Sequence, residues 1–414
     1  MPDTLPPTVA KWQFVEEKAR QILDAFAYRE LRTPILEYTP LFLRTVGEAT
    51  EVVEKQMYTF DDRDGKSVSM RPEGTASAVR AYIASSQWNR EPVTRWYYLG
   101  PMFRHERAQR GRLRQFHQIG AEVFGLPGPA IDAEMIAMLV ALLADLGIKA
   151  DDLEVAVNTL GAPEERSVYR ETLRAYFSGH VDVLDDFSKR RLDSNPLRIL
   201  DSKDPKVQEL CAGAPSLLDV LGEKSKEHFA AVRRHLDDLG VASVLDPRLV
   251  RGLDYYTGTI FEIKAKSGDL GTQNTVAGGG RYDLLVSSLG GPEIPAMGFG
   301  LGLERVLLAM TEPAESFDPG MNLYIAALGE MARAFALPLA HRLRLAGIRT
   351  ELEHRDVGLK AQLKRADALR ARLALIVGDN ELASGKLVLR DLTKREQSEV
   401  TLDEIEPRLR QALD

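Results

Sequence analysis

The sequence predicts an α+β fold that carries a helical insertion and is followed by a smaller α/β domain. Strand-like segments at Thr94 to Gly100 and Gln115 to Phe124 precede an apolar helix over Ala130 to Leu146. From Pro163 to Leu239 the pattern is helical and highly charged, with no strong strand signal. After a proline- and acid-rich break at Thr311 to Gly320, buried-type strands alternate with helical patterns, the signature of an α/β layer.

Each element follows from local chemistry. After Pro6-Pro7, Thr8 is the expected N-cap of a first helix, with Val15, Ala19, Ile22 and Phe26 as its apolar stripe. Glu30 to Tyr38 alternates around Pro34, which has no N–H for a ladder, so an edge strand or a broken strand is expected there. Gly147 ends the helix over Ala130 to Leu146. Strand-like segments resume near Arg251. Beyond the break, Leu323 to Leu328, Leu373 to Val377 and Leu387 to Leu389 read as buried strands, with helices over Arg333 to Leu345 and Leu359 to Leu369. The expected boundaries are 1–162 with 241–312 for the α+β core, 163–240 for the insertion, 313–320 for a linker and 321–414 for the last domain.

The 414 residues, 44% hydrophobic and 28% charged, suffice for two or three packed domains. A net charge of −7 argues against a general polyanion binder, so any nucleic-acid partner must meet a local basic face. One cysteine, Cys211, excludes a disulfide framework and a cysteine-rich zinc site; it is expected to be a small buried apolar residue. No signal pattern and no apolar run of roughly 20 residues is present, so no membrane partner is expected and the cytoplasm is the expected compartment.

Chemistry concentrates in five segments. The strand Phe116 to Phe124 places Phe116, Gln118, Gly120, Glu122 and Phe124 on one face, and Ile119, Ala121 and Val123 on the other. That suits either a pocket floor or a solvated polar face. Before it, Phe103-Arg-His-Glu-Arg-Ala-Gln-Arg-Gly-Arg-Leu-Arg114 packs five arginines between strands, of which Arg104 and Arg112 suit a triphosphate. No Gly-x-x-x-x-Gly-Lys-Ser/Thr sequence occurs, so ATP would bind without a P-loop. In Met70-Arg-Pro-Glu-Gly-Thr75, Glu73 either holds an ammonium group or caps the helix that follows. Gly278-Gly-Gly280 marks either close backbone approach to a ligand or a tight turn. Gly298 to Arg305 runs from glycines into a helix, without the spacing of a dinucleotide fingerprint.

Taken in order, these segments resemble the class II aminoacyl-tRNA synthetases, and within them the histidyl-tRNA synthetase family. Arg32-Thr-Pro34 resembles motif 1, Phe103-Arg-His-Glu106 through Glu122 motif 2, and Gly298 to Arg305 motif 3. More specific are Arg251-Gly-Leu-Asp-Tyr-Tyr256 and Gly278-Gly-Gly-Arg-Tyr-Asp283, which resemble the two histidine-specific motifs, and Asn195-Pro-Leu-Arg-Ile-Leu-Asp-Ser-Lys203, which resembles the family's insertion region.

The resemblance implies a class II catalytic domain with an antiparallel sheet and helical insertion, followed by an α/β anticodon-binding domain. It implies ATP-dependent ligation of L-histidine to tRNA(His) through histidyl-adenylate. Arg104 would hold the α-phosphate, Arg112 and Arg305 would reach the pyrophosphate end, and Phe116 with Arg305 would sandwich adenine. Glu73, Thr75 and Gln118 would bind the amino-acid backbone, and Glu122 with Tyr255 and Tyr256 the imidazole. Arg251 would face the α-phosphate opposite Arg104, Mg²⁺ would accompany the outer phosphates, and no metal ligand set is expected from the protein itself. In the last domain, Arg355, Lys360, Lys364 and Arg365 form either a solvated helix face or a tRNA contact, and the resemblance favours the latter. A homodimer is also implied.

Three departures stand out. The chain begins almost at Asp3, where the family has a further short segment; Ala108 replaces a proline, and Ala277 a cysteine. The alternative is the family's non-catalytic relative, a regulatory subunit of ATP phosphoribosyltransferase, which typically lacks the last domain.

Overall fold

The computed structural model describes residues 3–47, 50, 52–107, 109–202, 204–271 and 274–413. The first two residues, Ala108 and Lys203, on which sequence expectations bear, lie outside the described residues. The chain divides into two compact units, Met1–Ala314 and Glu315–Asp414.

The first unit is built on an eight-stranded sheet, in the order Arg29–Glu30, Thr94–Phe103, Gln115–Phe124, Ala296–Gly302, Thr275–Arg281, Thr257–Ala265, Leu153–Thr159, Ser243–Leu245. The six inner strands pair antiparallel, and each edge strand adds in parallel. Period-two alternation decides what each face meets: Ile119, Ala121 and Val123 are fully buried on one face, while Phe124 on the other stacks on Tyr82 of the helix Thr75–Ala84. The expected break at Pro34 is present. The chain leaves the large sheet after Glu30 and starts the edge strand Leu36–Tyr38 of a separate three-stranded sheet.

The first helix, Thr8–Ala25, departs from expectation at both ends. Pro7 occupies the cap and Thr8 is already helical. The buried stripe is Lys11, Val15, Ala19 and Leu23, with Ile22 and Phe26 half-buried. An i, i+4 series keeps one side chain per turn on the core face, and that series here starts from a lysine. Lys11 is tolerated because its Nζ donates to the carbonyls of Leu307, Met310 and Glu312 at 3.1, 2.9 and 2.9 Å. These lie at the end of the helix Leu303–Ala309, where carbonyls lack partners within the helix.

Between Leu153–Thr159 and Ser243–Leu245 the chain forms helices over Pro163–Ser178, Asp186–Ser194, Pro205–Ala212 and Glu223–Asp238. The Asp185 and Asp204 carboxylates accept from first-turn amides of the second and third helices, and Glu165 bonds Ala162 N and Gly222 N. Their core includes Tyr169, Leu173, Phe177, Val207 and Cys211, whose thiol donates to Ile199 O, and extends to Leu249 and Tyr256. Cys211 is buried as expected. Arg251 is not in a strand: it lies in an irregular loop between Ser243–Leu245 and Thr257–Ala265.

The second unit is a five-stranded sheet in the order Thr350–Leu352, Leu323–Ala327, Leu373–Val377, Lys386–Asp391, Glu396–Thr401. The first three are parallel and the last two add antiparallel. Every residue of Leu323–Ala327 and Leu373–Val377 is buried, because apolar clusters form on both faces. Two strands escaped the sequence reading: Thr350–Leu352 is very short, and Glu396–Thr401 is a polar edge.

Removing the Lys11 ammonium strands three carbonyls. Lys11→Met is expected to destabilise the first unit by about 1–3 kcal/mol. Urea unfolding followed by tryptophan fluorescence reads this unit, since Trp12, Trp88 and Trp96 all lie in it; an unchanged midpoint would count against the capping role.

Candidate functional site: a glycine-floored cleft with two buried carboxylates

The inner strands form the floor of a cleft with about 890 Å³ of empty space, lined by Glu73, Arg104, Arg112, Phe116, Gln118, Arg251, Tyr255, Tyr256 and Arg305, among others. Nine of the eleven residues singled out from sequence therefore converge. The other two, Thr75 and Glu122, lie beneath the lining, buried, with Thr75 Oγ1 donating to Glu122 Oε1 at 2.8 Å.

Glu122 is fully buried in the middle of Gln115–Phe124. Besides Thr75, it accepts from Tyr98 Oη at 2.9 Å and Tyr282 Oη at 2.5 Å. Burial pushes its carboxyl up to about 8, against the pull of those three hydroxyls. Glu73 takes the capping role among the two readings offered for it. Its oxygens accept from Thr75 N at 2.6 Å and Ala76 N at 2.8 Å, capping the helix Thr75–Ala84, while the same side chain lines the cleft. Burial raises its carboxyl too, and the two helix amides oppose that.

Three arginines are fixed by groups that leave part of each guanidinium facing the cleft. Arg104 donates Nε to Pro72 O at 2.8 Å and lies 5.1 Å over the Phe116 ring. Arg305 donates to Gly111 O at 3.2 Å and Thr275 O at 2.7 Å. Burial lowers both guanidinium values from their ordinary range. Arg251 pairs with Glu262 at 2.5 Å and covers the Tyr256 ring at 5.7 Å. Arg112 lies 3.4 Å from Glu106.

Glycines make this cradle possible. Gly278-Gly-Gly280 is strand, not turn: it belongs to Thr275–Arg281. A Cβ on Gly278 would sit 2.6 Å from Arg251 Nη1, and one on Gly298, across from Glu122, would sit 1.6 Å from Glu122 Oε2. Arg281 in the same motif is an anchor, paired with the buried Asp132 at 2.7 Å.

Sequence reasoning missed Tyr98, Tyr282 and Glu262. Tyr98 shared the period-two pattern of its strand, but only the pairing of Tyr98 with Gly120 shows that its ring crosses the sheet toward Glu122. Tyr282 stood inside a noted motif, with nothing local to show its reach of 160 positions to Glu122.

Residues 1–306 match the family model described as Histidyl-tRNA synthetase, and residues 322–412 the one described as Anticodon binding domain. The chain belongs to the histidyl-tRNA synthetase family. It is 49% identical over 404 residues to the histidine–tRNA ligase of Methylobacillus flagellatus, covering 97% of this chain and 96% of that protein. The histidine–tRNA ligase of Sorangium cellulosum is also 49% identical, over 97% of this chain and 93% of its own length. Apo histidyl-tRNA synthetase of S. aureus superposes with a TM-score of 0.82 at 34% identity, over 99% of this chain and 98% of that one. The class II architecture expected from the motifs, an antiparallel catalytic sheet followed by an anticodon-binding domain, is thus the fold of this family member. Of its departures from the family pattern, Ala277 is a buried strand residue bordering the cleft.

Glu122 yields a pH prediction. Its folded-state value is raised from 4.5 to about 8, so its contribution to stability is present below about 4.5 and is lost as pH rises through about 8. The stability of the unliganded protein relative to Glu122→Gln should therefore decline between those limits. Denaturant titrations across that range check it, and a flat difference would mean that Glu122 ionises normally.

Proposed function

We propose that this cleft joins histidine to ATP and passes the product to tRNA(His), each lining residue having a distinct task. The overall reaction is that of the family, ligation of histidine to tRNA(His) at the expense of ATP. The observation that carries the assignment is the pairing, in one cleft, of two buried carboxylates with three anchored guanidinium groups.

Glu73 takes the ammonium of histidine, with Thr75 and Gln118 aligning its backbone. A cation there favours ionised Glu73 and Glu122 and offsets their desolvation. Imidazole offers one N–H and one bare nitrogen, and Glu122, Tyr255 and Tyr256 satisfy both; a site built this way rejects apolar analogues by roughly 10⁴ without editing. Arg104 and Arg251 hold the α-phosphate from two sides, while Arg112 and Arg305 face the outer phosphates. Phe116 supplies the aromatic wall for adenine, with Arg305 on the opposite side.

The histidine carboxylate attacks the α-phosphorus; a new O–P bond forms as the bond to pyrophosphate breaks. The nucleophile is already ionised, so no general base is needed, and the arginines act by positioning and by stabilising charge in the transition state. A terminal tRNA hydroxyl then attacks the acyl carbonyl; the new C–O ester bond forms as the bond to the phosphate breaks, and AMP leaves with the hydroxyl's proton taken up by its phosphate or by solvent. Mg²⁺ fits as a companion of the outer phosphates, where it would neutralise charge on the leaving pyrophosphate. Glu106 is the lining carboxylate that would help hold it: among the described residues its buried Oε2 makes no hydrogen bond and meets only the Arg112 guanidinium, at 3.4 Å.

A homodimer is supported by Ile35, Leu36, Tyr38 and Phe60, exposed together on or beside the three-stranded sheet. In the second unit Lys360 and Lys364 are exposed on the helix Leu359–Ala368, a basic face for tRNA on an acidic chain. Arg355 and Arg365 are less available there, being 2.7 Å from Glu353 and 3.6 Å from Glu351. The division of labour follows the expected boundaries: 1–162 with 241–312 catalytic, 163–240 an insertion, 313–320 a linker, 321–414 for the anticodon, in a cytoplasmic protein. The regulatory-subunit alternative has less support, since the chain retains every group of the cleft and a match to the anticodon-binding family.

ATP–pyrophosphate exchange with each of the twenty amino acids should respond to histidine alone; no exchange by folded protein would overturn the assignment. Arg251→Ala is expected to slow single-turnover adenylation on the order of 10²–10³-fold while calorimetry shows histidine still binding. An unchanged rate would remove Arg251 from the chemistry.

A further inference from the structure

The loop that carries Arg251 and Tyr256 is held from outside the catalytic sheet as well as by side chains within it. It spans the irregular segment before Thr257–Ala265, so no strand ladder fixes Arg251. The sheet reaches the loop through side chains, Glu262 at Arg251 and Asn158 at Leu249 O (3.0 Å), and a separate attachment to the insertion runs through Asp254. That carboxylate's Oδ1 accepts from Asn195 Nδ2 at 3.2 Å and Arg198 Nη2 at 3.1 Å, both in the helical insertion. The Arg198 side chain is only 10% exposed, so its charge is poorly solvated without Asp254.

Other contacts bind the same loop to the same module. Arg166, on the insertion helix Pro163–Ser178, donates to Tyr256 O at 2.5 Å. Leu249 and Tyr256 belong to the insertion's hydrophobic cluster, and Leu253 and Tyr255 pack against it. On the far side, Asp254 N donates to Val46 O at 3.3 Å. Next to it Gly47 adopts φ +97°, and a Cβ there would lie 2.5 Å from Asp254 Oδ2. Asp254 is thus clamped between the end of the helix Thr39–Val46 and the insertion, three residues after Arg251 and two before Tyr256.

We propose that Asp254 is a positioning residue through which the helical insertion sets where Arg251 and Tyr256 stand in the cleft. The inference rests on the reading of the cleft given above and deepens it: the insertion governs the adenylation step, although the Arg198–Asp254 pair contributes no group to the reactants. A displacement of about 1 Å in a positioned group costs on the order of 10²-fold in rate, so a loosened clamp is kinetically visible.

The test compares Arg198→Ala, Asp254→Asn, their double variant and Arg198→Lys in the full-length protein. Its readouts are rapid-quench adenylation at saturating ATP and histidine, and hydrogen exchange of the Leu249–Tyr256 amides. Each disruptive single variant should slow adenylation by about 10- to 100-fold. The double variant should be no slower than the worse single, because both break one contact, and Arg198→Lys should recover most of the rate. Loop amides should exchange faster while those of Gln115–Phe124 do not. Folded variants with rates within about twofold of the parent, or single losses that multiply in the double variant, would overturn the proposal. So would normal loop exchange in Arg198→Ala, which is also decisive where a variant is too unstable for kinetics. If instead Arg251→Ala adenylates normally, the reading of the cleft fails, and loop exchange still decides what Asp254 does.

Discussion

A carboxylate with no solvent exposure sits at the centre of the antiparallel sheet, and the geometry around it follows from the need to satisfy it. Glu122 takes one hydroxyl from the adjacent strand through Tyr98, one from the start of a helix through Thr75, and one from beyond the glycine strand through Tyr282. An unpaired buried carboxylate would cost several kcal/mol or surrender its charge. Three elements distant in sequence are therefore drawn onto one residue. The same demand accounts for Gly298, the position across the ladder where any side chain would collide with Glu122.

Around this network the site separates its charges. Carboxylates lie low, Glu122 beneath the floor and Glu73 at a helix start that supplies two amides. Guanidinium groups stand on the walls, fixed by backbone carbonyls at Arg104 and Arg305 and by Glu262 at Arg251. Charged groups fixed in advance need no reorganisation when charge develops beside them. The arrangement divides the cleft into a part whose carboxylates suit an ammonium group and a part whose guanidinium groups suit a polyphosphate.

The two large structural blocks of the first unit contribute unequally. The sheet presents Phe116, Gln118 and the glycines with the precision of a ladder. Arg251 and Tyr256 come instead from a loop whose side chains are shared with the core of the insertion. That half of the cleft is held by packing and by two ion pairs, Arg251–Glu262 and Arg198–Asp254, rather than by a strand ladder.

Much of the fold was legible locally. Alternation in Gln115–Phe124, continuous apolar runs in the second unit and the missing N–H of Pro34 all act over a few residues, and those strands, faces and breaks stand where sequence placed them. Local rules failed where tertiary partners intervened: Lys11 joined a buried stripe because distant carbonyls solvate it, and the triple glycine became strand because flanking side chains need its space. The sequence by itself determined which residue types would gather at the cleft, since motif order and spacing are properties of the chain. Only the tertiary structure decided that Thr75 and Glu122 lie beneath the lining, that Tyr98 and Tyr282 hold Glu122, and that Asp254 ties the arginine loop to the insertion. Those are contacts across tens to more than a hundred positions, and the energy that selects them, satisfaction of buried charge, exists only once the chain has folded.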